Sequence, residues 1–81
     1  MNDLENQVCD VLRGTLGLGK MPLAADSPLL GALPQLDSMA VLALLTALEE
    51  YFGIAIFDDE ISARHFATVG TLTAFVQSKR P

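Results

Sequence analysis

The chain has 81 residues, of which 51% are hydrophobic and only 6% aromatic, so the composition predicts one small domain, residues 1–81, with an aliphatic core. The formal net charge of −5 argues against nucleic acid or an anionic membrane surface as the main partner, because neither attracts a net anion. A single cysteine, Cys9, excludes an internal disulfide and a multi-cysteine metal site, and it indicates a cytoplasmic protein.

The first predicted helix follows a polar N-terminus that has no apolar signal core, so no targeting segment is expected. Asn2 or Asp3 can cap this helix, and Gly14 or Gly17 can end it. Between these ends the apolar residues follow the 3,4 spacing of an amphipathic helix. They are Leu4, Val8, Val11 and Leu12.

The stretch GTLGLGK, residues 14–20, matches the start of the GxxxxGK loop that binds nucleotide phosphates. The match fails at the next position, because the motif needs a hydroxyl side chain there to hold magnesium and the chain has Met21. The motif also follows a strand, whereas a helix is predicted here. We therefore interpret the stretch as the glycine-rich end of the first helix.

A long loop is predicted between Gly17 and Leu36, where three prolines and three glycines disfavour regular structure. Loops of this length are usually either functional or disordered. Leucines recur along this one, at positions 23, 29, 30, 33 and 36. They predict an ordered loop that is attached to the core by its apolar side chains.

The strongest helix prediction begins at Ser38 and ends at Phe52, before Gly53. One face of this helix is apolar and is predicted to face the core; it consists of Val41, Leu45, Leu48 and Phe52. The opposite face, which we call the Met39 stripe, consists of Met39, Ala43, Thr46 and Glu50. The longest apolar run of the chain, residues 39–48 with Thr46 inside it, falls well short of the roughly 20 residues that a membrane span needs, so no span is expected.

The remaining residues predict a short extended link at 54–57, a short third helix at 58–65 and a last helix. Three carboxylates open the third helix, where the positive helix N-terminus favours them. Thr68 or Thr71 can cap the last helix, which ends in two basic residues that suit its C-terminus. Its apolar residues are Leu72, Phe75 and Val76, and its basic end is Lys79 and Arg80.

Two further groups of residues could suggest chemistry. Cys9 and His65 could be a nucleophile and its base, but a lone cysteine on an amphipathic helix is far more often a small core residue. The acids at 58–60 could bind a divalent cation, but consecutive positions point in different directions around a helix and no alternating oxygen-ligand loop follows. We expect no catalytic residue and no metal site.

Ser38 directly follows Asp37, whose side chain suits a helix cap, and by position alone such a serine is most often part of that cap. The surrounding pattern points further. A leucine-rich loop leads to Leu36 and the triplet Asp37-Ser38-Met39, and the helix closes with the acidic stretch ALEEYFGIAI. This order resembles the acyl carrier protein family, the phosphopantetheine-binding carrier domains, over essentially the whole chain.

The resemblance implies an all-α fold, a four-helix bundle with a long loop between helices 1 and 2 and a short third helix. It also implies that a phosphopantetheinyl transferase attaches 4′-phosphopantetheine from coenzyme A to Ser38, next to Asp37. The protein would then be a single, monomeric carrier domain that holds acyl groups as thioesters for partner enzymes and is not itself an enzyme. Those enzymes are expected to have basic surfaces that contact Met39, Ala43, Thr46, Glu49 and Glu50.

The sequence departs from the fatty-acid carriers at two positions that are often acidic in them, where it has Ala40 and Ala43. The stretches LLGALPQLDSM and FDDEI look more like carriers dedicated to an accessory pathway, such as bacterial exopolysaccharide and exosortase systems. Carriers of aminoacyl or peptidyl groups share the fold and are an alternative. A second alternative is a helical adaptor in which Ser38 is only a helix-end residue and the alanine-rich face binds another protein.

Overall fold

The described part of the chain, residues 3–80 with Asp58 described by its backbone, folds into three α-helices in a computed structural model. These helices are α1 (Asp3–Leu16), α2 (Ser38–Phe52) and α3 (Val69–Lys79). The all-α prediction is confirmed. Asn2, one of the two predicted caps of the first helix, lies outside the described residues.

The predicted third helix is wrong. In its place the chain forms two separate 3₁₀ turns, Asp58–Glu60 and Ala63–Phe66. Ser62, which precedes the second turn, has the extended backbone angles φ −144° and ψ 146°, and these interrupt any continuous helix. A helix of about eight residues has little stability of its own, so a single extended residue is enough to divide it.

Local backbone chemistry explains the helix ends. α1 ends before Gly17, which has a φ of 67°, while Gly14 lies inside the helix. The Leu18 N–H then donates to the Arg13 carbonyl at 3.0 Å, the hydrogen bond of a Schellman motif. The interpretation of GTLGLGK as a helix end is thereby confirmed, with Gly17 rather than Gly14 as the terminator.

α2 and α3 begin with side-chain caps. The Asp37 carboxylate accepts the Ala40 N–H at 2.8 Å, and Gly53, with a φ of 66°, closes α2 by donating to the Glu49 carbonyl at 2.9 Å. Thr68 caps α3 in a reciprocal capping box with Thr71. The predicted bounds of α2 are confirmed, and Thr68 rather than Thr71 starts α3.

α1 is the central helix, because it packs against both α2 and α3. From α2 the core receives Leu44, Leu45 and Leu48, whereas Val41 and Phe52 are only half-buried. Leu44 was not predicted to face the core. Since it lies one turn before Leu48 and three residues after Val41, the buried face of α2 is centred on the middle of the helix rather than extended to its end.

The long loop is ordered and attached to the start of α3. Leu29 and Leu36 are buried as predicted, but Leu30 is 44% exposed, so its predicted role in the core is wrong. The Gly70 N–H donates to the Ala25 carbonyl at 2.7 Å, and a Cβ at this glycine would lie only 2.9 Å from that oxygen. The close approach of the loop to α3 therefore requires glycine at position 70.

An ion pair closes the end of α3 onto the first 3₁₀ turn. Lys79 Nζ lies 2.6 Å from Glu60 Oε1 and 5.7 Å from the centre of the Phe57 ring. The hydrogen bond from Lys79 is the main reason why the pKa of the Glu60 carboxyl is lower than its ordinary value.

In residues 3–80, no helix is both long enough and apolar enough to cross a lipid bilayer.

Candidate functional site

Ser38 is the first residue of α2 and is exposed. The preceding Asp37 closes the helix end by itself, since its Oδ1 accepts the Ala40 N–H at 2.8 Å. Within residues 3–80, no hydrogen bond engages the Ser38 hydroxyl. The hydroxyl is therefore not needed for the cap, contrary to what its position alone would suggest.

The start of α2 is electrically positive. The N–H groups of Ser38 and Met39 precede the first intrahelical hydrogen bond, which the Val41 N–H makes to the Asp37 carbonyl at 2.9 Å. Free N–H groups and the helix dipole favour a negative charge at this end. The first turn of α2 contains no acidic residue, and the negative charge next to this end is that of the capping Asp37 carboxylate.

The Met39 stripe is exposed along its whole length. Met39 is 72% exposed, and Ala43, Thr46 and Glu50 are exposed as well. Met39 therefore does not fold under the loop into the core. The structure places these four residues on one accessible face next to Ser38, and their role in binding stays a prediction.

Glu49 and Leu42 are sequence neighbours of residues in the Met39 stripe. Glu49 is half-buried, and its Oε2 accepts the Ile56 N–H at 2.8 Å, so it holds the link after α2; its contact with partner enzymes stays a prediction. Leu42 is 58% exposed and lies three residues after Met39, which extends the apolar surface beside Ser38. The sequence could have indicated that Leu42 is exposed, because on a helical wheel it lies outside the predicted core face.

Cys9 is a core residue, as interpreted from the sequence. It is 1% exposed, and burial raises the pKa of its thiol, which keeps it protonated and unreactive. The His65 ring instead stacks on Phe75, with 4.3 Å between ring centres. Among the residues whose side chains the structure describes, no group of three or more His, Cys, Asp and Glu could hold a metal ion.

Comparison with known proteins gives two matches. A family model described as a phosphopantetheine attachment site matches residues 6–76. The solution NMR structure of a holo acyl carrier protein from Nitrosomonas europaea is 50% identical to this chain in sequence. The match covers 96% of this chain and 95% of the other chain, with a TM-score of 0.86. A search of curated proteins found no match.

Proposed function

This chain belongs to the family of carrier proteins with a phosphopantetheine attachment site, and we propose that Ser38 is the residue that carries the group. Membership makes the protein an acyl carrier whose cofactor is covalently attached 4′-phosphopantetheine. The observation that supports Ser38 is its exposed hydroxyl at the start of α2, which no hydrogen bond engages in the described part of the chain.

The residues at this helix end fit a phosphodiester. Because Asp37 makes the cap, a bulky substituent on the Ser38 oxygen leaves the Asp37–Ala40 hydrogen bond in place. The N–H groups of Ser38 and Met39 lie at the positive end of α2, where one negative charge is typically stabilised by about 0.3–1 kcal/mol. When bound, the group supplies a terminal thiol that holds the acyl chain as a thioester.

We propose that the chain itself catalyses nothing. Its residues present the hydroxyl and dock the enzymes, while the attachment, loading and unloading reactions take place in partners. Attachment to a carrier replaces free diffusion of the acyl group by a high effective concentration at each partner's site. The absence of a base from the hydrogen bonds around Ser38, among the described residues, agrees with this division of roles.

The partners in this proposal are a phosphopantetheinyl transferase and acyl-loading and acyl-accepting enzymes with basic docking surfaces. The exposed carboxylate of Glu50 and the exposed apolar side chain of Met39 support approach over the Met39 stripe. A monomeric, cytoplasmic carrier is also part of the proposal. The free, buried thiol of Cys9 agrees with a reducing compartment.

The cargo is a finer proposal. We favour acyl groups over aminoacyl or peptidyl groups, because the similar solved structure is an acyl carrier protein. Service in an accessory pathway of the exopolysaccharide or exosortase type stays a prediction from the sequence. It agrees with the apolar surface beside Ser38, where Met39 and Leu42 are exposed and positions 40 and 43 carry no charge.

Intact-mass measurement tests the site. The purified chain is incubated with coenzyme A and a phosphopantetheinyl transferase, and we expect a mass gain of one phosphopantetheine group. Ser38→Ala is expected to gain nothing, while Ser62→Ala is the control and should still gain the group, since Ser62 lies next to the start of a different helical turn and makes no side-chain cap. Modification of Ser38→Ala would refute the assignment, and failure of the wild-type chain with several transferases would favour the adaptor alternative.

A further inference from the structure

Charge is distributed unevenly along this acidic chain. Residues 1–60 contain all ten Asp and Glu residues but only two of the five Lys and Arg residues, a net charge of −8. Residues 61–81 contain no acid and the other three cations, Arg64, Lys79 and Arg80. The C-terminal quarter is therefore basic in sequence, with a net charge of +3 before termini are counted, and in the fold one of its cations, Lys79, is paired with Glu60.

A groove of about 370 Å³ lies in this basic part, between α3 and the second 3₁₀ turn. The stacked rings of His65 and Phe75 form part of its wall, 4.3 Å apart and 26° from parallel. The other α3 residues follow the spacing of one helix face. The residues of this α3 groove are Arg64, His65, Thr71, Ala74, Phe75 and Ser78.

The hydroxyl groups of the α3 groove are already engaged inside the chain. Thr71 Oγ1 donates to the His65 carbonyl at 3.2 Å, and Ser78 Oγ donates to the Phe75 carbonyl at 2.6 Å. Arg64 is exposed and makes no ion pair with any described residue, unlike Lys79, which is paired with Glu60. The groove therefore offers a mainly apolar surface with one available guanidinium at its edge.

We propose that the α3 groove docks an acidic segment of a partner protein, with an apolar side chain in the groove and a carboxylate on Arg64. A guanidinium can bind a carboxylate through two parallel hydrogen bonds, so this contact also orients the segment. Among the described residues that line the groove, Arg64 is the one Lys or Arg and there is no Asp or Glu, so the fixed charge that an incoming segment meets there is positive.

A second copy of the chain is a weaker occupant than a separate partner. A contact between this groove and the acidic part of a second copy would be head-to-tail, which produces rings or open filaments rather than a simple pair. We therefore assign the groove to a different protein.

The position of the groove determines what such docking would achieve. α1 lies between α2 and α3, and no residue of α2 lines the α3 groove. A partner held there leaves the start of α2 and the Met39 stripe accessible to another enzyme. Docking would thus hold the carrier near its enzymes and raise the effective concentration of its cargo. This inference does not depend on which serine is modified.

The test uses the full phosphopantetheine-loaded chain, isotope-labelled for NMR, and a synthetic peptide in which one phenylalanine is flanked by glutamates. We expect amide shifts concentrated at the α3 groove and absent from α2. Arg64→Glu should weaken binding about tenfold or more, a loss of about 1.4 kcal/mol. Lys20→Glu makes the same charge change at an exposed cation outside the groove and should weaken binding far less.

Three controls make the outcome decisive. A peptide with lysines for the glutamates, and one with glycine for the phenylalanine, should both fail to shift the groove residues. Ala74→Glu, at an exposed lining position, should block the groove without unfolding the chain. The proposal would be overturned if Lys20→Glu weakened binding as much as Arg64→Glu, if the peptide shifted amides of α2, or if the lysine peptide bound. It would also be overturned if raising the protein concentration alone gave the same shifts, because a second copy would then be the occupant.

Discussion

Leu44 and Leu42 are two leucines of the same helix whose truncation should have very different effects. Leu44 is completely buried, so Leu44→Ala should cost about 2–5 kcal/mol through lost burial and the cavity that remains. Leu42 is 58% exposed. With a full leucine burial worth about 1.5–3 kcal/mol, the buried part of Leu42 accounts for only about 1 kcal/mol. The expected difference is about 1–4 kcal/mol, a large part of the stability of a domain this small.

Urea unfolding followed by far-ultraviolet circular dichroism measures both values under one set of conditions. Both substitutions replace leucine by alanine inside α2, so their effects on helix propensity cancel in the comparison. Leu44→Ala should unfold at a much lower urea concentration with a similar slope. Equal costs for the two variants, or a larger cost for Leu42→Ala, would show that the buried face of α2 is not centred on Leu44.

Three further predictions concern the exposed face and the charges. Met39→Ala should change the free energy of unfolding by less than about 1 kcal/mol but slow modification of Ser38 roughly tenfold in a mass-spectrometric time course; slowing that only follows a loss of folded protein would place Met39 in the core. Glu50→Lys should weaken binding of basic partner enzymes, more at low salt than at high salt, when affinity is measured by titration calorimetry; an effect independent of salt would exclude an exposed charge contact. The pKa of Glu60 is lowered on folding, chiefly by Lys79, so its contribution to stability is present above the ordinary pKa of about 4.5 and is lost as pH falls through the folded value. In unfolding experiments at several pH values, the free energy of unfolding of Glu60→Gln should therefore fall less at acidic pH than that of the wild-type chain. An unchanged pH profile would mean that the ion pair contributes nothing.

The features that could be predicted from the sequence are those that neighbouring residues determine. Asp37 and Thr68 accept hydrogen bonds from N–H groups three residues later, and Gly53 supplies the positive φ that ends α2. Each of these interactions closes within one turn, so the residue type at one position is enough to indicate it. The position of Ser38 at the start of α2 follows directly from the Asp37 cap.

The features that could not be predicted depend on residues far apart in the chain. Glu49 is drawn toward the link by the Ile56 N–H, and Leu30 is exposed although its neighbour Leu29 is buried. Both results follow from how the loop and the link pack, which a helical wheel does not contain. The acids at 58–60 suited a helix start, but the extended backbone at Ser62 divides the segment. Short segments of this kind take their shape from tertiary contacts rather than from propensity.

Asp37 caps α2 and Ser38 is the proposed attachment site, so Ser38 can be modified without a change in the fold. If Ser38 made the cap, placing a phosphodiester on its oxygen would remove a hydrogen bond worth about 1 kcal/mol from the start of α2. Because Asp37 accepts the Ala40 N–H instead, the serine oxygen can be esterified while the helix end stays closed. The added negative charge then lies at the positive end of α2 but beside the Asp37 carboxylate; since the helix end favours the charge and the carboxylate repels it, loading should change the stability of the domain little.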